Sequence, residues 1–287
     1  MTSSLTRRGL MTIGTSALLA TAGPVGAVAL PDAIGAIEAR HGGRLGVFVL
    51  DTGSGRVLAH RADERFFLCS SFKGLLAAMV LSRVDAGREG LDRPVPYGPQ
   101  DLLDHAPVAR AHVAEGSLTV GALCAAILEF SDNTAANLLL ARVGGPASLT
   151  AYVRGLGDTT TRIDRYEPVN NNRLRDLNTT TPRAIVGLAR TIVLGNALRP
   201  ASRDRLTRGM AANVAGRTRL RAAFPAGWSA VDRTGTGDGL CNDYAVAWRP
   251  DRAPLVMAAY YDAPGMETAP QEAVLRAVGE AIVAWAG

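Results

Sequence analysis

Ser70 and Lys73 form a pair of side chains that could take part in a reaction together. They stand three positions apart in "CSSFKG", at the start of a predicted helix, and residues at i and i+3 share one helix face. Lys73 can therefore reach the Ser70 hydroxyl and act on its proton, which a serine nucleophile requires. It is the only lysine of the chain, and arginine could not replace it because arginine stays protonated. A serine before a helix is also a common N-cap, so the pair alone leaves a capping role open.

Three further segments extend this pair into an ordered set. Ser131, Asp132 and Asn133 precede a predicted helix, "RTGT" at residues 233–236 lies on a predicted strand, and "RIDRYEPVNN" occupies residues 162–171. With "SSFK", these segments resemble the S-x-x-K, S-D-N, acidic-loop and K-T-G elements of the class A serine β-lactamases. The resemblance extends from about residue 32 to the last predicted helix.

The resemblance implies a role for each catalytic residue. Ser70 would be the acylated nucleophile, with Lys73 as its proton partner. Ser131 would pass a proton to the leaving β-lactam nitrogen. Glu167 would activate the water that hydrolyses the acyl-enzyme, and Asn171 would help to hold that water. Either Lys73 or Glu167 could take the first proton, and the sequence leaves that choice open.

The resemblance also implies a set of substrate-binding residues: Asn133, Asn171, Arg219, Arg233, Thr234, Gly235, Thr236 and, at the rim of the cleft, His105. Arg233 stands where K-T-G has lysine. Arg233 and Arg219 are expected to bind the substrate carboxylate, because a fixed positive charge tolerates arginine where a proton carrier does not. The backbone N–H groups of Ser70 and Thr236 would form the oxyanion hole. Asp132 is expected to orient its loop or to cap the following helix.

The elements that must position these residues follow from the hydrophobic pattern. Residues 45–51 and 57–60 predict a hairpin, and "SAVDRTGTG", "NDYAVAWRP" and "APLVMAAYYDAP" predict three more antiparallel strands. Helical patterns fill the chain between them. We therefore predict an α+β fold: a five-stranded antiparallel sheet flanked by helices, a mostly helical lobe, and the active site in the cleft between them. Residues 30–287 would form one catalytic domain, with an α/β lobe (30–67 and 210–287) and a helical lobe (68–209).

Residues 1–29 have the pattern of a bacterial export signal. Arg7 and Arg8 precede a short apolar run, and small residues follow at positions 27–29. The paired arginines resemble a twin-arginine signal. We therefore expect a periplasmic or secreted protein that does not stay in the membrane after the signal is cleaved.

The net charge and the histidine spacing limit the kinds of partner that we expect for this protein. The net charge of +5 comes from arginines scattered among acids, which argues against a nucleic-acid surface. The four histidines lack metal-ligand spacing, so we expect no metal and no cofactor. The family resemblance implies a small β-lactam substrate as the partner, and the mature protein is expected to be a monomer.

The three cysteines leave their pairing open, since an odd number cannot all be bonded. Cys69 resembles the carbapenem-hydrolysing branch of the family, which bonds this cysteine to one beyond K-T-G. A bond from Cys69 to Cys241 is therefore one alternative, although Cys241 lies four residues past the usual partner position. Cys124 is expected to be a buried thiol.

Three other functions compete with β-lactam hydrolysis. A D,D-peptidase would share Ser70, Lys73 and the Thr-Gly strand, but it would lack a carboxylate such as Glu167. A β-lactam receptor would be acylated once and stay acylated, and such sensors usually sit on a transmembrane segment. An esterase on the same scaffold is the third alternative.

Overall fold

The computed structural model describes residues 30–168 and 176–287, together with Met1. The rest of the predicted export signal, including Arg7 and Arg8, and the predicted water-holding Asn171 lie outside these ranges. Within the described ranges, no helix combines the length and the apolarity needed to cross a bilayer.

One antiparallel sheet organises the molecule. The strands are, in chain order, β1 (Arg44–Asp51), β2 (Val57–His60), β3 (Phe66–Phe67), β4 (Pro94–Pro96), β5 (Ser117–Thr119), β6 (Thr179–Thr180), β7 (Ser229–Gly237), β8 (Leu240–Arg249) and β9 (Arg252–Asp262). Five of them pair in the order β2-β1-β9-β8-β7. The amino-terminal hairpin therefore joins the three carboxyl-terminal strands through β1 and β9, and the predicted fold class is confirmed.

Helices cover both faces of this sheet. They are α1 (Leu30–His41), α2 (Lys73–Asp85), α3 (Pro107–Ala111), α4 (Val120–Glu129), α5 (Asn133–Arg142), α6 (Gly145–Gly155), α7 (Pro182–Ala189), α8 (Pro200–Ala211) and α9 (Thr268–Ala286). A short 3₁₀ helix, Cys69–Phe72, leads directly into α2.

The side-chain alternation of the strands divides the buried residues into two clusters. Phe48 of β1 packs with α2 and the other helices of the helical lobe, on what we call the inner face of the sheet. Its neighbours Val47 and Val49 pack with α1 and α9 on the outer face. Successive strand residues point to opposite faces, so β1, β8 and β9 each contribute buried residues to both clusters.

Helix α2 carries the site into the middle of the protein. Every residue from Lys73 to Leu81 is buried, and a helix that is buried on all sides belongs to a core rather than to a surface. Its first turn therefore lies in a rigid, water-poor setting.

Candidate active site

Ser70 lies in the 3₁₀ helix before α2 and lines a cleft. Residues at i and i+3 eclipse each other in a 3₁₀ helix, and Lys73 Nζ donates to Ser70 Oγ at 3.0 Å. The Ser70 hydroxyl in turn donates to Glu167 Oε1 at 3.2 Å. Neither this 3₁₀ helix nor α2 has a side-chain cap, so the alternative that Ser70 is an N-cap is wrong.

Lys73 is fully buried among polar partners. Its ammonium group donates to the Ser131 carbonyl at 2.8 Å, to Asn133 Oδ1 at 2.5 Å and to Ser70, and it lies 3.0 Å from Glu167 Oε1. Burial lowers the pKa of Lys73 to about 8, although the charge of Glu167 acts in the opposite direction. A lysine in this range can release its proton near neutral pH.

Glu167 is held by a residue that sequence reasoning missed. Asn137 Nδ2 donates to the Glu167 carbonyl, and Asn137 Oδ1 accepts from the Glu167 N–H, both at 2.9 Å. The signal was present, because Asn137 follows Asn133 by four positions and therefore shares its helix face. The peptide bond from Glu167 to Pro168 is cis.

Ser131 receives two hydrogen bonds from cations. Arg233 Nη2 donates to Ser131 Oγ at 2.6 Å, and Lys73 Nζ donates to the same atom at 3.3 Å. A hydroxyl has two acceptor positions and one proton. Both acceptor positions are used, so the proton of Ser131 is free to be donated into the cavity that Ser131 lines.

Arg233 lies behind the cavity wall rather than on it. Its side chain has no exposed surface, and besides Ser131 it contacts Asn213 Oδ1 and Thr234 Oγ1, each at 3.4 Å. Burial lowers the pKa of Arg233 to about 10, so it is still charged at neutral pH. Among the described residues, the hydrogen bonds of Arg233 go to Ser131, Asn213 and Thr234.

Arg219 is also buried, and its guanidinium group forms hydrogen bonds with residues of β7 and β8. It donates to the carbonyls of Gly235 and Asn242, each at 2.8 Å, and to Thr236 Oγ1 at 2.6 Å. Glu272 Oε1 on α9 pairs with it at 3.2 Å. Arg219 therefore reaches the cavity through Thr236, which lines it.

The inner face of the sheet supports the segment that carries Ser70. Asn242 Nδ2 donates to the Phe67 carbonyl at 2.7 Å, and Tyr260 and Ser71 share a hydrogen bond of 3.0 Å. A Cβ on Gly235 would lie only 2.6 Å from the Leu68 carbonyl oxygen, which explains the glycine. Sequence reasoning missed Asn242 and Tyr260.

The cavity has a volume of about 490 Å³ and is open to solvent along one side. Six predicted site residues line it: Ser70, His105, Ser131, Asn133, Thr234 and Thr236. Exposed Phe130 and Val214 add an apolar wall. His105 Nε2 is held at the rim by the Phe130 carbonyl, 2.9 Å away. The cavity can therefore hold a small molecule against the Ser70 hydroxyl.

Asp132 has the structural role that was predicted. Its Oδ1 accepts from the Ala135 N–H at 2.8 Å and caps α5. Its Oδ2 accepts from the N–H groups of Val108 and Ala109, each at 2.9 Å. One buried carboxylate thus ties the Ser131 turn to α3.

Cys69 and Cys241 are not joined by a disulfide, and the sheet explains why. Cys241 pairs with Thr236 across β7 and β8 and packs in the outer cluster. Cys69 Cβ lies 3.1 Å from the position of a Cβ on Gly235, on the inner face. The sheet separates the two sulfurs, whereas a disulfide needs adjacent Cβ atoms. Cys124 is the predicted buried thiol, and burial raises its pKa to about 12.

The described residues contain no group of three or more His, Cys, Asp or Glu side chains that could hold a metal ion. The cleft brings together a serine hydroxyl between a lysine and a carboxylate, and a second serine beside two cations.

Comparison with known proteins agrees with this geometry. The sequence model of the β-lactamase enzyme family matches residues 29–286. The carbapenem-hydrolysing β-lactamase KPC of Klebsiella oxytoca is 44% identical over 247 residues, which cover 84% of this chain and 83% of that protein. A β-lactamase of Mycobacterium tuberculosis is 46% identical over 255 residues, covering 86% and 82%.

Solved structures give the same result. A β-lactamase from Burkholderia vietnamiensis superposes with a TM-score of 0.89 at 55% identity, covering 92% of this chain and 98% of the other. A reconstructed ancestral class A β-lactamase superposes with a TM-score of 0.87 at 49% identity, covering 90% and 100%. The chain therefore belongs to the class A β-lactamase family.

Proposed function

We propose that the enzyme hydrolyses the amide of penicillins and cephalosporins through an acyl-enzyme on Ser70, deacylated by water that Glu167 activates, and so confers β-lactam resistance. One observation carries the proposal: Ser70 Oγ lies 3.0 Å from Lys73 Nζ and 3.2 Å from Glu167 Oε1 at the wall of the cavity. Both proton acceptors that the two half-reactions need are therefore within hydrogen-bond reach of the nucleophile.

In acylation, Ser70 Oγ attacks the lactam carbonyl carbon, and its proton passes to neutral Lys73 or to Glu167. The lactam C–N bond then breaks as Ser131 donates its proton to the leaving nitrogen. Lys73 can restore the Ser131 proton across the 3.3 Å contact between Nζ and Oγ. The backbone N–H groups of Ser70 and Thr236 would stabilise the oxyanion, a contribution that is usually large in acyl transfer.

In deacylation, Glu167 takes a proton from water as the water oxygen attacks the ester carbon. The ester C–O bond to Ser70 then breaks, and Ser70 Oγ takes back the proton from Glu167, with which it is in hydrogen-bond contact. Glu167 Oε2 is buried without a hydrogen-bond partner among the described residues, so it has acceptor capacity to spare. We propose that Asn171 helps to hold this water.

The remaining predicted residues would bind the substrate. Thr234 and Thr236 present hydroxyl groups to the cavity, and Asn133 would bind the side-chain amide of the drug. Arg233 and Arg219 would attract the carboxylate by charge, and their contacts support an action through Ser131, Thr234 and Thr236. Gly235 allows β7 to pack closely against the segment that carries Ser70. His105 would contact the substrate at the rim of the cavity.

The proposal is tested by mixing the purified mature protein with a chromogenic cephalosporin. Continuous hydrolysis is expected for a β-lactamase. A single burst of product, with no further hydrolysis, would indicate a receptor or a D,D-peptidase. Turnover of simple esters without β-lactam turnover would indicate an esterase. Because a 44% identical relative is named for carbapenem hydrolysis, the panel includes a penicillin, a cephalosporin and a carbapenem.

We also propose that residues 1–29 direct export by the twin-arginine route to the periplasm or beyond, and that residues 30–287 act as one monomeric domain with the predicted lobes. Export of class A β-lactamases in general supports the location. Amino-terminal sequencing of the exported protein and light scattering during gel filtration test the two statements.

A further inference from the structure

Gly74, the second residue of α2, has a specific structural reason to be glycine. In a helix, glycine is less stable than alanine by about 1 kcal/mol. A Cβ on Gly74, however, would lie 2.1 Å from Tyr244 Oη and 3.3 Å from Tyr244 Cζ. Tyr244 has no exposed surface, and a close-packed interior gives its ring little room to move. Only glycine lets α2 and the phenol occupy their present positions.

Tyr244 also lies beside Arg233. The two residues are directly opposite each other in the register of β7 and β8, so their side chains share one face of the sheet. Arg233 Cγ lies 3.4 Å from the same Cβ position on Gly74. The helix start, the phenol and the arginine stem therefore meet at one point.

Tyr244 differs from the other inner-face residues that support the Ser70 segment. Asn242 and Tyr260 form hydrogen bonds with that segment, whereas the Tyr244 hydroxyl has no hydrogen-bond partner in the described part of the chain. Arg233 Nε is also buried and unpartnered there. Among the described residues, the contacts of Tyr244 with the helix start and with Arg233 are therefore packing contacts.

We propose that Tyr244 is a positioning residue for Arg233, and that Gly74 is the residue that admits it. The phenol restricts the Arg233 side chain to the conformation in which Nη2 donates to Ser131 Oγ at 2.6 Å. That bond occupies an acceptor position of Ser131 and leaves its proton available for the leaving nitrogen. The inference rests on the proposed function, because it gives Tyr244 a part in acylation.

The first test compares Gly74→Ala, Tyr244→Phe and the double variant. We measure kcat/KM with a chromogenic cephalosporin per titrated active site, and thermal unfolding in parallel. Gly74→Ala should lower kcat/KM by about 100-fold, the scale of a misplacement near 1 Å. Adding Tyr244→Phe should restore at least about tenfold, because the new methyl then has room. Full activity of Gly74→Ala, or no recovery in the double variant, would overturn the proposal.

Gly187→Ala is the matched control. Gly187 is an exposed glycine of α7, and a Cβ there would meet nothing within 4 Å. The same substitution should leave kcat/KM unchanged. An equal loss in Gly187→Ala would mean that the effect at position 74 is not specific to Tyr244.

The second test holds even if Gly74→Ala does not fold. It is a double-mutant cycle of Tyr244→Phe with Arg233→Lys, with Tyr152→Phe in the helical lobe as the control. Tyr244→Phe should lower kcat/KM about fivefold beside Arg233 and leave it unchanged beside Lys at that position. A purely structural phenol would lower the melting temperature and leave kcat/KM per active site unchanged in both backgrounds. That result, or additive effects, would overturn the proposal.

The wild-type enzyme separates the two hypotheses. Absence of repeated turnover by the wild type would contradict the proposed function itself. Repeated turnover by the wild type, together with an additive cycle, would contradict only the role of Tyr244.

Discussion

Lys73 Nζ and Glu167 Oε1 lie 3.0 Å apart, and neither side chain has exposed surface. A buried ion pair is costly to desolvate and is weak evidence for stability. Here both members also contact Ser70 Oγ. The pair therefore places two possible proton acceptors beside the nucleophile, and the charge of Glu167 raises the pKa of Lys73.

The first prediction concerns Glu167→Gln. The variant should accumulate an acyl adduct on Ser70, visible by mass spectrometry, because deacylation loses its base. Acyl formation should rise with pH as Lys73 loses its proton. Since the charge of Glu167 raises the pKa of Lys73, its removal should place the inflection below about 8. Rapid turnover by the variant, or an inflection above that of the wild type, would contradict the assigned roles.

The second prediction is that Lys73→Arg loses about 10³-fold in kcat/KM, because arginine keeps the charge but cannot release a proton. The reverse exchange, Arg233→Lys, is the control. It keeps a charge and a donor near Ser131, so kcat/KM should stay within about tenfold of the wild type. Steady-state kinetics on folded protein check both variants. If Lys73→Arg keeps more than a tenth of the activity, the argument from the single lysine is wrong.

The third prediction concerns the contact between β7 and the Ser70 segment. Gly235→Ala should lower the free energy of unfolding by about 1–3 kcal/mol, because the added methyl meets the Leu68 carbonyl and Cys69 Cβ. The value of kcat/KM should fall as well, because the added methyl group would push β7 away from the segment that carries Ser70. Urea denaturation measures the loss, with Gly187→Ala as the unstrained control. If Gly235→Ala left the midpoint of urea unfolding unchanged, the Ser70 segment could move away from the added methyl group without loss of stability.

The fourth prediction concerns the buried carboxyl group of Asp243 on β8. Burial and the charge of Asp232 raise the pKa of Asp243 well above its ordinary value. The folded state therefore binds this proton more tightly than the unfolded chain does, so its contribution to stability is lost as pH rises. Asp243→Asn does not titrate, and its stability relative to the wild type should increase from pH 5 to pH 9.

Urea unfolding at the two pH values measures this difference, with Asp204→Asn as the control because Asp204 is exposed on α8. The asparagine oxygen can still accept from the Leu220 N–H, which Asp243 Oδ2 does at 3.2 Å. A constant difference between wild type and Asp243→Asn would show that the carboxyl group does not titrate in this range.

The local chemistry of this protein could be predicted from short stretches of its sequence. The reach from Lys73 to Ser70 depends on one helical turn, and the hydrophobic alternation of the strands depends on residues two apart. Both features depend on residues that are close together in the chain, so they can be predicted from the sequence alone. The single lysine among arginines identified the position that needs a removable proton, and ordered segments with Ser131 and Glu167 indicated the family.

The contacts of Arg233 and Arg219 could not be predicted without the fold. The bonds from Arg233 to Ser131 and from Arg219 to Thr236 cross many residues of sequence, and no periodicity encodes them. The separation of Cys69 from Cys241 depends on the strand register, and the contact of Gly74 with Tyr244 depends on how closely a helix approaches a sheet. Such contacts follow from packing the whole chain at once, because each side chain's position depends on all its neighbours.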